Sequence, residues 1–260
     1  MVVIRRTDSY ASNMDMEEKL LYADTRFQVI DMVYAGRPAR ILFIGDHVAA
    51  QSGLAQDSKP ELLFDYNQRL LEVVTYVQPG RILLIGGGAY TWPVAVLQKF
   101  SHIHIDVVEP EVSLETIATR FFGLKPDERL RIIHQDGATF LATTTCAYDL
   151  IVIDAFDGLV IPPSLTAMRA VQNMRKRLND NGTVAMNIVG PYLGRGGEAL
   201  RGCYERFQAT FGTTALYPAD SKYSLWESQN FVLVARRGSA ALPELRFTAV
   251  LQDAASKPRR

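Results

Sequence analysis

The sequence has few of the residues that bind metals or form disulfides. It contains two cysteines and four histidines in 260 residues, and none is spaced as in a zinc site or a disulfide framework. Its charges balance, with 28 Lys and Arg against 28 Asp and Glu, so no broad basic field is present to hold phosphate backbones or a membrane surface. We therefore expect no metal cofactor, no nucleic-acid partner and no membrane partner.

Long apolar runs are also missing. Apolar runs such as residues 82–85 and 150–153 are far shorter than the ~20 residues that a membrane-spanning helix needs. Residues 1–18 carry charges and do not resemble a signal peptide, so we expect a cytoplasmic protein. The composition is otherwise that of a globular chain, 48% hydrophobic and 22% charged, at a length that can bury a full core.

The N-terminal part of the chain has the pattern of a small β domain. Apolar and polar residues alternate over 27–34, a turn sequence follows at Gly36-Arg37-Pro38, and 40–44 reads as a returning strand. Apolar residues at helical spacing then predict a helix over 61–76 that bridges two domains.

From Gln78 onward, apolar runs alternate with helical stretches, which is typical of βαβ units. We predict strands at 81–85, 104–109, 130–134, 150–154, 183–188 and 231–235. We predict helices at 93–100, 112–121, 137–143, 165–178 and 197–211. Five strands each followed by a helix predict an α/β fold with a doubly wound, mostly parallel sheet. The predicted parts are a β-hairpin domain over 1–60, a nucleoside-binding catalytic domain over 61–240 and a tail over 241–260.

Two predicted strands end in residues that suit a nucleoside, because ligands of such sheets lie at the carboxyl ends of the strands. Gly86, Gly87 and Gly88 follow the first strand, where glycines let the backbone approach a ligand; a tight turn is the alternative. Glu109 ends the second strand, where a carboxylate accepts ribose hydroxyls; a solvated acid is the alternative. Since Gly-x-Gly-x-x-Gly is absent, a nucleoside without phosphates fits better than a dinucleotide.

The next two strands end in carboxylates. Asp136-Gly137 follows the third strand and can take the exocyclic amine of adenine, although such a pair is also a common plain turn. Asp154 and Asp157 follow the fourth strand, and carboxylates held together repel each other unless a cation lies between them. We therefore predict that they bind a cationic amine, which loses a proton to one of them and attacks an electrophilic carbon. A capped helix start with a spare surface acid is the alternative.

Short segments spread over most of the chain have the order and spacing of one family. They are Ala50-Gln51-Ser52-Gly53, Phe64-Asp65-Tyr66, Ile85-Gly86-Gly87-Gly88, Val107-Val108-Glu109-Pro110, Phe121-Phe122-Gly123-Leu124, Asp136-Gly137, Asp154-Ala155-Phe156-Asp157 with Ile161-Pro162, and Ser228-Gln229-Asn230-Phe231. By these segments the chain resembles the spermidine synthase family of polyamine aminopropyltransferases, in particular its spermidine-synthase-like branch. The resemblance implies a methyltransferase-like Rossmann domain after a small N-terminal β domain, and a homodimer.

The same resemblance implies transfer of an aminopropyl group from decarboxylated S-adenosylmethionine, a sulfonium, to an amine such as putrescine. It implies that Gln51 and Glu109 hold the ribose side of the donor and that Asp136 holds its adenine amine. It implies that Asp154 orients and deprotonates the attacking amine, and that Asp157 belongs to the amine-binding loop.

Three further residues are assigned by resemblance to the amine. Tyr66 and Trp226 would wall its methylene chain, a role that plain packing explains equally well. Glu227 would bind a distal ammonium, although a solvated loop charge explains this residue better.

One departure from the family concerns the donor. The family sequence Gly-Gly-Gly-Asp-Gly-Gly carries an acid that binds the amine of the aminopropyl group, whereas this chain has Ala89 and Tyr90 after its glycines. The intact donor, S-adenosylmethionine, carries a carboxylate, which an acid at this position would repel. Because the acid is missing here, an S-adenosylmethionine-dependent methyltransferase stays open as an alternative. A non-catalytic protein that binds a sulfonium nucleoside is a second alternative.

Overall fold

The computed structural model describes residues 18–45, 49–57, 61–158, 160–238, 241–242 and 250–252. They form two sheets, which together carry the helices and the candidate site. The first sheet has four antiparallel strands in the order β1-β2-β3-β4. These strands are β1 (Lys19–Ala23), β2 (Phe27–Tyr34), β3 (Arg37–Ile44) and β4 (Ala49–Ala55).

The predicted hairpin is the centre of this first sheet. β2 and β3 pair from Phe27 with Ile44 to Tyr34 with Arg37, and Ala35 and Gly36 between them both have positive φ, as a two-residue hairpin turn requires. The outer strands β1 and β4 were not predicted. β4 matters most for the site, because it carries Gln51 and Ser52 to the edge of the second sheet.

The second sheet has eight strands in the order β12-β10-β11-β9-β8-β5-β6-β7. Strands β5 to β9 run parallel to one another. β11 pairs antiparallel with β9 and with β10, and β10 pairs antiparallel with β12. The strands are β5 (Arg81–Ile85), β6 (His104–Val108), β7 (Leu130–Ile133), β8 (Tyr148–Ile153), β9 (Leu178–Gly190), β10 (Thr213–Pro218), β11 (Gln229–Arg236) and β12 (Leu251–Gln252). The helices are α1 (Asp65–Val77), α2 (Thr91–Lys99), α3 (Ser113–Phe121), α4 (Gly137–Thr143), α5 (Pro163–Thr166), α6 (Met168–Arg177) and α7 (Glu198–Phe211).

The second sheet is buried on both faces, as its apolar strands predicted. One hydrophobic cluster joins one face to the first sheet and to α1, α2 and α3. A second cluster joins the other face to α4, α6 and α7. Helices on both faces of a mostly parallel sheet confirm the predicted doubly wound fold.

Several predicted boundaries were wrong. The helix predicted over 165–178 is two helices, because Ala167 is extended with ψ 150° and separates α5 from α6. The helix predicted from residue 61 begins at Asp65, because Leu62 pairs instead with Leu54 of β4. The strand β10 was not predicted, and it makes the last part of the sheet antiparallel.

Two absences hold for the part of the chain that the structure describes. No helix there is long and apolar enough to cross a membrane. No group of three or more His, Cys, Asp and Glu side chains is placed there to hold a metal ion.

The division into 1–60, 61–240 and 241–260 stays a prediction. Within the predicted tail, Leu251–Gln252 pair with β10 at the edge of the second sheet. Residues 1–17, 58–60, 243–249 and 253–260 lie outside the described residues, and so does most of the predicted tail.

Candidate active site

A cavity of about 260 Å³ lies at the carboxyl ends of β5, β6 and β8, beside β4 and the first turn of α1. It brings together most of the predicted site residues from six separate segments of the chain. Those that line it are Gln51, Tyr66, Gly86, Gly87, Gly88, Glu109, Asp136, Gly137, Asp154 and Asp157. The residues predicted from the strand ends and those implied by the family resemblance, Gln51 and Tyr66, therefore line one cavity.

The glycine turn after β5 is shaped by its contacts with two neighbouring segments. Gly86 has φ 96°, and a Cβ atom there would lie 2.3 Å from the backbone oxygen of Asp154. Gly88 has φ 51°, and a Cβ atom there would lie 2.6 Å from Ser52 Oγ. Ser52 also accepts a hydrogen bond from the backbone N–H of Ala89, at 2.9 Å. Only residues without a side chain allow this close approach.

Glu109 is fixed at the end of β6 by backbone donors. Its Oε2 accepts a hydrogen bond from the N–H of Gly87 at 2.8 Å, and its Oε1 accepts one from the N–H of Glu111 at 3.0 Å. The residue is 8% exposed. Because a carboxylate has about four acceptor positions, both oxygens can still accept further hydrogen bonds. Glu109 is thus held in place with free acceptor positions, and its predicted contact with ribose hydroxyls stays a prediction.

Asp136 and Gly137 begin helix α4. Oδ1 of Asp136 accepts hydrogen bonds from the N–H and the hydroxyl of Thr139, at 2.8 and 2.7 Å, and so caps the helix. A Cβ atom on Gly137 would lie 2.3 Å from Ile85 Cγ2, so glycine lets α4 approach β5 closely. The helix cap uses one of the two carboxylate oxygens of Asp136. The predicted contact of Asp136 with adenine stays a prediction.

Asp154 is held from two sides by side chains of remote elements. Its Oδ1 accepts a hydrogen bond from Asn187 Nδ2 at 2.9 Å, and Asn187 Oδ1 accepts one from Asn230 Nδ2 at 2.8 Å. The hydroxyl of Tyr66 also hydrogen-bonds Asp154. Burial, followed by the charge of Asp154 and this hydrogen bond, raises the pKa of Tyr66 well above its usual value. Tyr66 is therefore protonated and donates to the carboxylate.

Asp157 lies on the exposed side of the same loop. Its backbone N–H donates to the oxygen of Val160 at 2.9 Å, and the N–H of Val160 donates back to it at 3.3 Å. The loop is therefore a short closed turn that presents an exposed carboxylate at the mouth of the cavity. Residue 159, within this turn, is outside the described residues.

The charge of the cavity is strongly one-sided. The acids among its described lining residues are Glu109, Glu111, Asp136, Asp154 and Asp157. The single basic residue among them, Arg26, forms an ion pair with Glu111. Such a cavity attracts cations and disfavours an additional carboxylate.

Trp226 and Glu227 are not among the described residues that line the cavity. Trp226 is 69% exposed and lies against Gly194. Glu227 accepts a hydrogen bond from the backbone N–H of Ser224 within its own loop. Their predicted contacts with an amine stay predictions.

Some site residues were missed by sequence reasoning. Asn187, which holds Asp154, is fully buried in β9. It is the single amide in the predicted strand 183–188, and an amide among apolar residues was the available signal. Asn67 and Trp92 also line the cavity with buried polar atoms. Asn67 follows Tyr66 directly, but no motif marked it.

The sequence is similar to those of known proteins. The family model for the spermine/spermidine synthase domain matches residues 64–191. The polyamine aminopropyltransferase of Streptococcus uberis is 27% identical over 211 residues, which cover 78% of this chain and 70% of the relative.

Solved structures are similar as well. A probable spermidine synthase from Corynebacterium glutamicum has a TM-score of 0.67 at 18% identity, covering 84% of this chain and 78% of that one. Human methyltransferase-like protein 13, in complex with SAH, has a TM-score of 0.57 at 18% identity, covering 72% and 86%. These likenesses confirm the predicted methyltransferase-like Rossmann fold.

Proposed function

Because the chain belongs to the spermine/spermidine synthase family, as its motifs predicted, we propose that it transfers an aminopropyl group from decarboxylated S-adenosylmethionine to an amine such as putrescine. One observation carries this proposal: a single acidic cavity joins the glycine turn and Glu109 to Asp154 and Asp157. Both substrates are cations, and the cavity supplies acids for each.

In the proposed complex, the nucleoside part of the donor lies along β4, β5 and β6. Glu109 and Gln51 would accept and donate hydrogen bonds at the ribose, and Asp136 would take the adenine amine. Gln51 supports this role, because its Nε2 is buried without a hydrogen-bond partner among the described residues. The glycine turn leaves room for the donor against the backbone.

The proposed reaction is a direct displacement. The attacking ammonium gives a proton to Asp154, and its nitrogen lone pair forms a bond to the carbon beside the sulfonium. The carbon–sulfur bond breaks with its electron pair on sulfur, which leaves methylthioadenosine and the aminopropylated amine. Asp157 would hold the cationic acceptor near the mouth of the cavity. Positioning supplies much of the rate in such a reaction.

The charges favour the decarboxylated donor over intact S-adenosylmethionine. An intact donor adds a carboxylate to a cavity whose described basic residue, Arg26, is already paired with Glu111. The decarboxylated donor adds only positive charge. The absence of an acid at Ala89 therefore does not make the site suitable for a methyl donor.

Calorimetric titration with decarboxylated S-adenosylmethionine, S-adenosylmethionine and methylthioadenosine tests this proposal, together with an assay for aminopropyl transfer to putrescine. We expect the decarboxylated donor to bind more tightly than the intact one and the assay to release methylthioadenosine. Tighter binding of the intact donor would favour methyl transfer. Tight binding of the decarboxylated donor without transfer to any diamine or polyamine would favour a non-catalytic binding protein.

A homodimer, a cytoplasmic location and independence from metal ions are parts of the same proposal. The homodimer rests on the family resemblance, and its test is the molar mass in solution by light scattering. Activity that persists after treatment with a chelator is the expected result for a reaction without a metal.

A further inference from the structure

Three buried polar atoms on residues that line the cavity have no hydrogen-bond partner among the described residues. They are Gln51 Nε2, Asn67 Oδ1 and Trp92 Nε1. Two of them are donors, whereas Asn67 Oδ1 is an acceptor. A buried acceptor without a partner costs stability, so this oxygen suits a ligand that brings an N–H or O–H group.

Asn67 lies on the side of the cavity where Asp154 is located. It belongs to the first turn of α1 and is 2% exposed. Its amide hydrogen-bonds the hydroxyl of Tyr66, which in turn hydrogen-bonds Asp154. Because Asn67 Oδ1 is unpartnered, the amide N–H makes the bond to Tyr66. The free oxygen is therefore held close to the Tyr66 and Asp154 pair.

We propose that Asn67 Oδ1 accepts a hydrogen bond from the primary amine that Asp154 binds. The inference rests on the proposed function for the identity of the amine. It assigns an alkyl amine with at least two N–H groups to this position, one for Asp154 and one for Asn67.

A neutral acceptor suits this position better than a second carboxylate. A carboxylate would favour the charged ammonium over the neutral amine, and the nitrogen must lose a proton before it can attack carbon. An amide oxygen accepts a hydrogen bond from either form. Asn67 can therefore hold the nitrogen in place both before and after its proton passes to Asp154.

The test is calorimetric titration of putrescine into the protein saturated with methylthioadenosine. Asn67→Leu removes the acceptor at nearly constant volume, and we expect putrescine to bind roughly 10- to 100-fold more weakly, since the lost hydrogen bond is to a charged group. The matched control is Gln68→Leu. Gln68 is the next residue on the same turn, but it bonds the backbone oxygen of Leu62 and is not among the described lining residues. We expect wild-type affinity for this control.

A second variant keeps the test decisive if Asn67→Leu does not fold. Asn67→Asp retains an acceptor oxygen, and we expect it to bind putrescine at least as tightly as the wild type. Affinity within twofold of wild type for Asn67→Leu, or an equal loss in Asn67→Asp and Asn67→Leu, overturns the inference. So does a wild-type protein that binds no primary amine.

The two proposals fail separately in these measurements. Absence of aminopropyl transfer by the wild type contradicts the proposed function, while the putrescine titrations still report on Asn67. Normal transfer with wild-type amine affinity in Asn67→Leu contradicts only the role of Asn67.

Discussion

The two sides of the cavity are built in different ways. On the side of the glycine turn, Glu109 is held by the backbone N–H groups of Gly87 and Glu111. On the other side, Asp154 is held by the side chains of Tyr66 in α1 and Asn187 in β9. Backbone donors persist through most substitutions, whereas side-chain partners change with a single one. A single substitution can therefore remove a group that holds Asp154 on the proposed amine side, but not the backbone groups that hold Glu109 on the proposed nucleoside side.

The largest expected effect is on the amine side. Asp154→Asn keeps the shape of the side chain but removes the base, and we expect turnover to fall by roughly 100- to 10,000-fold, the usual contribution of a general base. Single-turnover measurement of methylthioadenosine release is the appropriate assay.

The control for this variant is its affinity for methylthioadenosine, which we expect within twofold of wild type because Glu109 and the glycine turn are unchanged. Equal turnover by the variant and the wild type would remove Asp154 from the proposed mechanism.

A smaller effect is expected on the nucleoside side. Both oxygens of Glu109 accept backbone N–H groups, so Glu109→Gln turns an NH₂ group toward one of these donors. We expect methylthioadenosine to bind roughly 10- to 100-fold more weakly, because a charge-assisted hydrogen bond is lost. Glu128→Gln is the matched control, since Glu128 is an exposed acid that is not among the described lining residues. Unchanged affinity in Glu109→Gln would contradict the proposed ribose contact.

The smallest effect is expected from the partners of Asp154. Asn187→Leu removes the donor that orients Asp154, and we expect turnover to fall roughly 10-fold through misplacement of the carboxylate, with little change in donor affinity. Asn230→Leu should act through Asn187, so the double variant should be no slower than Asn187→Leu alone. A double-mutant cycle on turnover checks this. Independent, additive losses would show that Asn230 does not act through Asn187.

Sequence reasoning located the parts of the site that depend on local pattern. The run Arg81–Ile85 and the helix Gly137–Thr143 have the predicted bounds, because a buried parallel strand and a Gly-started helix are marked by their own residues. The residues after such strands converge by topology. Knowledge of the strand ends was therefore enough to place Glu109 and Asp154 in one cavity.

The remaining features depend on contacts between remote segments. Asn187 and Asn230 are 43 residues apart in the chain, and their hydrogen bond exists only because β9 pairs with β11. The break at Ala167 and the strand β10 likewise had no turn or alternation signal strong enough to predict them. Tyr66 meets Asp154 only when α1 packs against the sheet.

The antiparallel pairing of β9 and β11 has a consequence for how this protein can vary in length. In the observed register Asn187 lies opposite Val232 and Asn230 lies opposite Val189, and successive side chains of a strand point to opposite faces. A slip of one residue would turn Asn230 away from Asn187. Insertions in the connection 219–228 are therefore compatible with the site only when the loop absorbs them completely. The register of β9 and β11 thus limits the length of the loop 219–228. A comparison of residue identities in this loop would not reveal that limit.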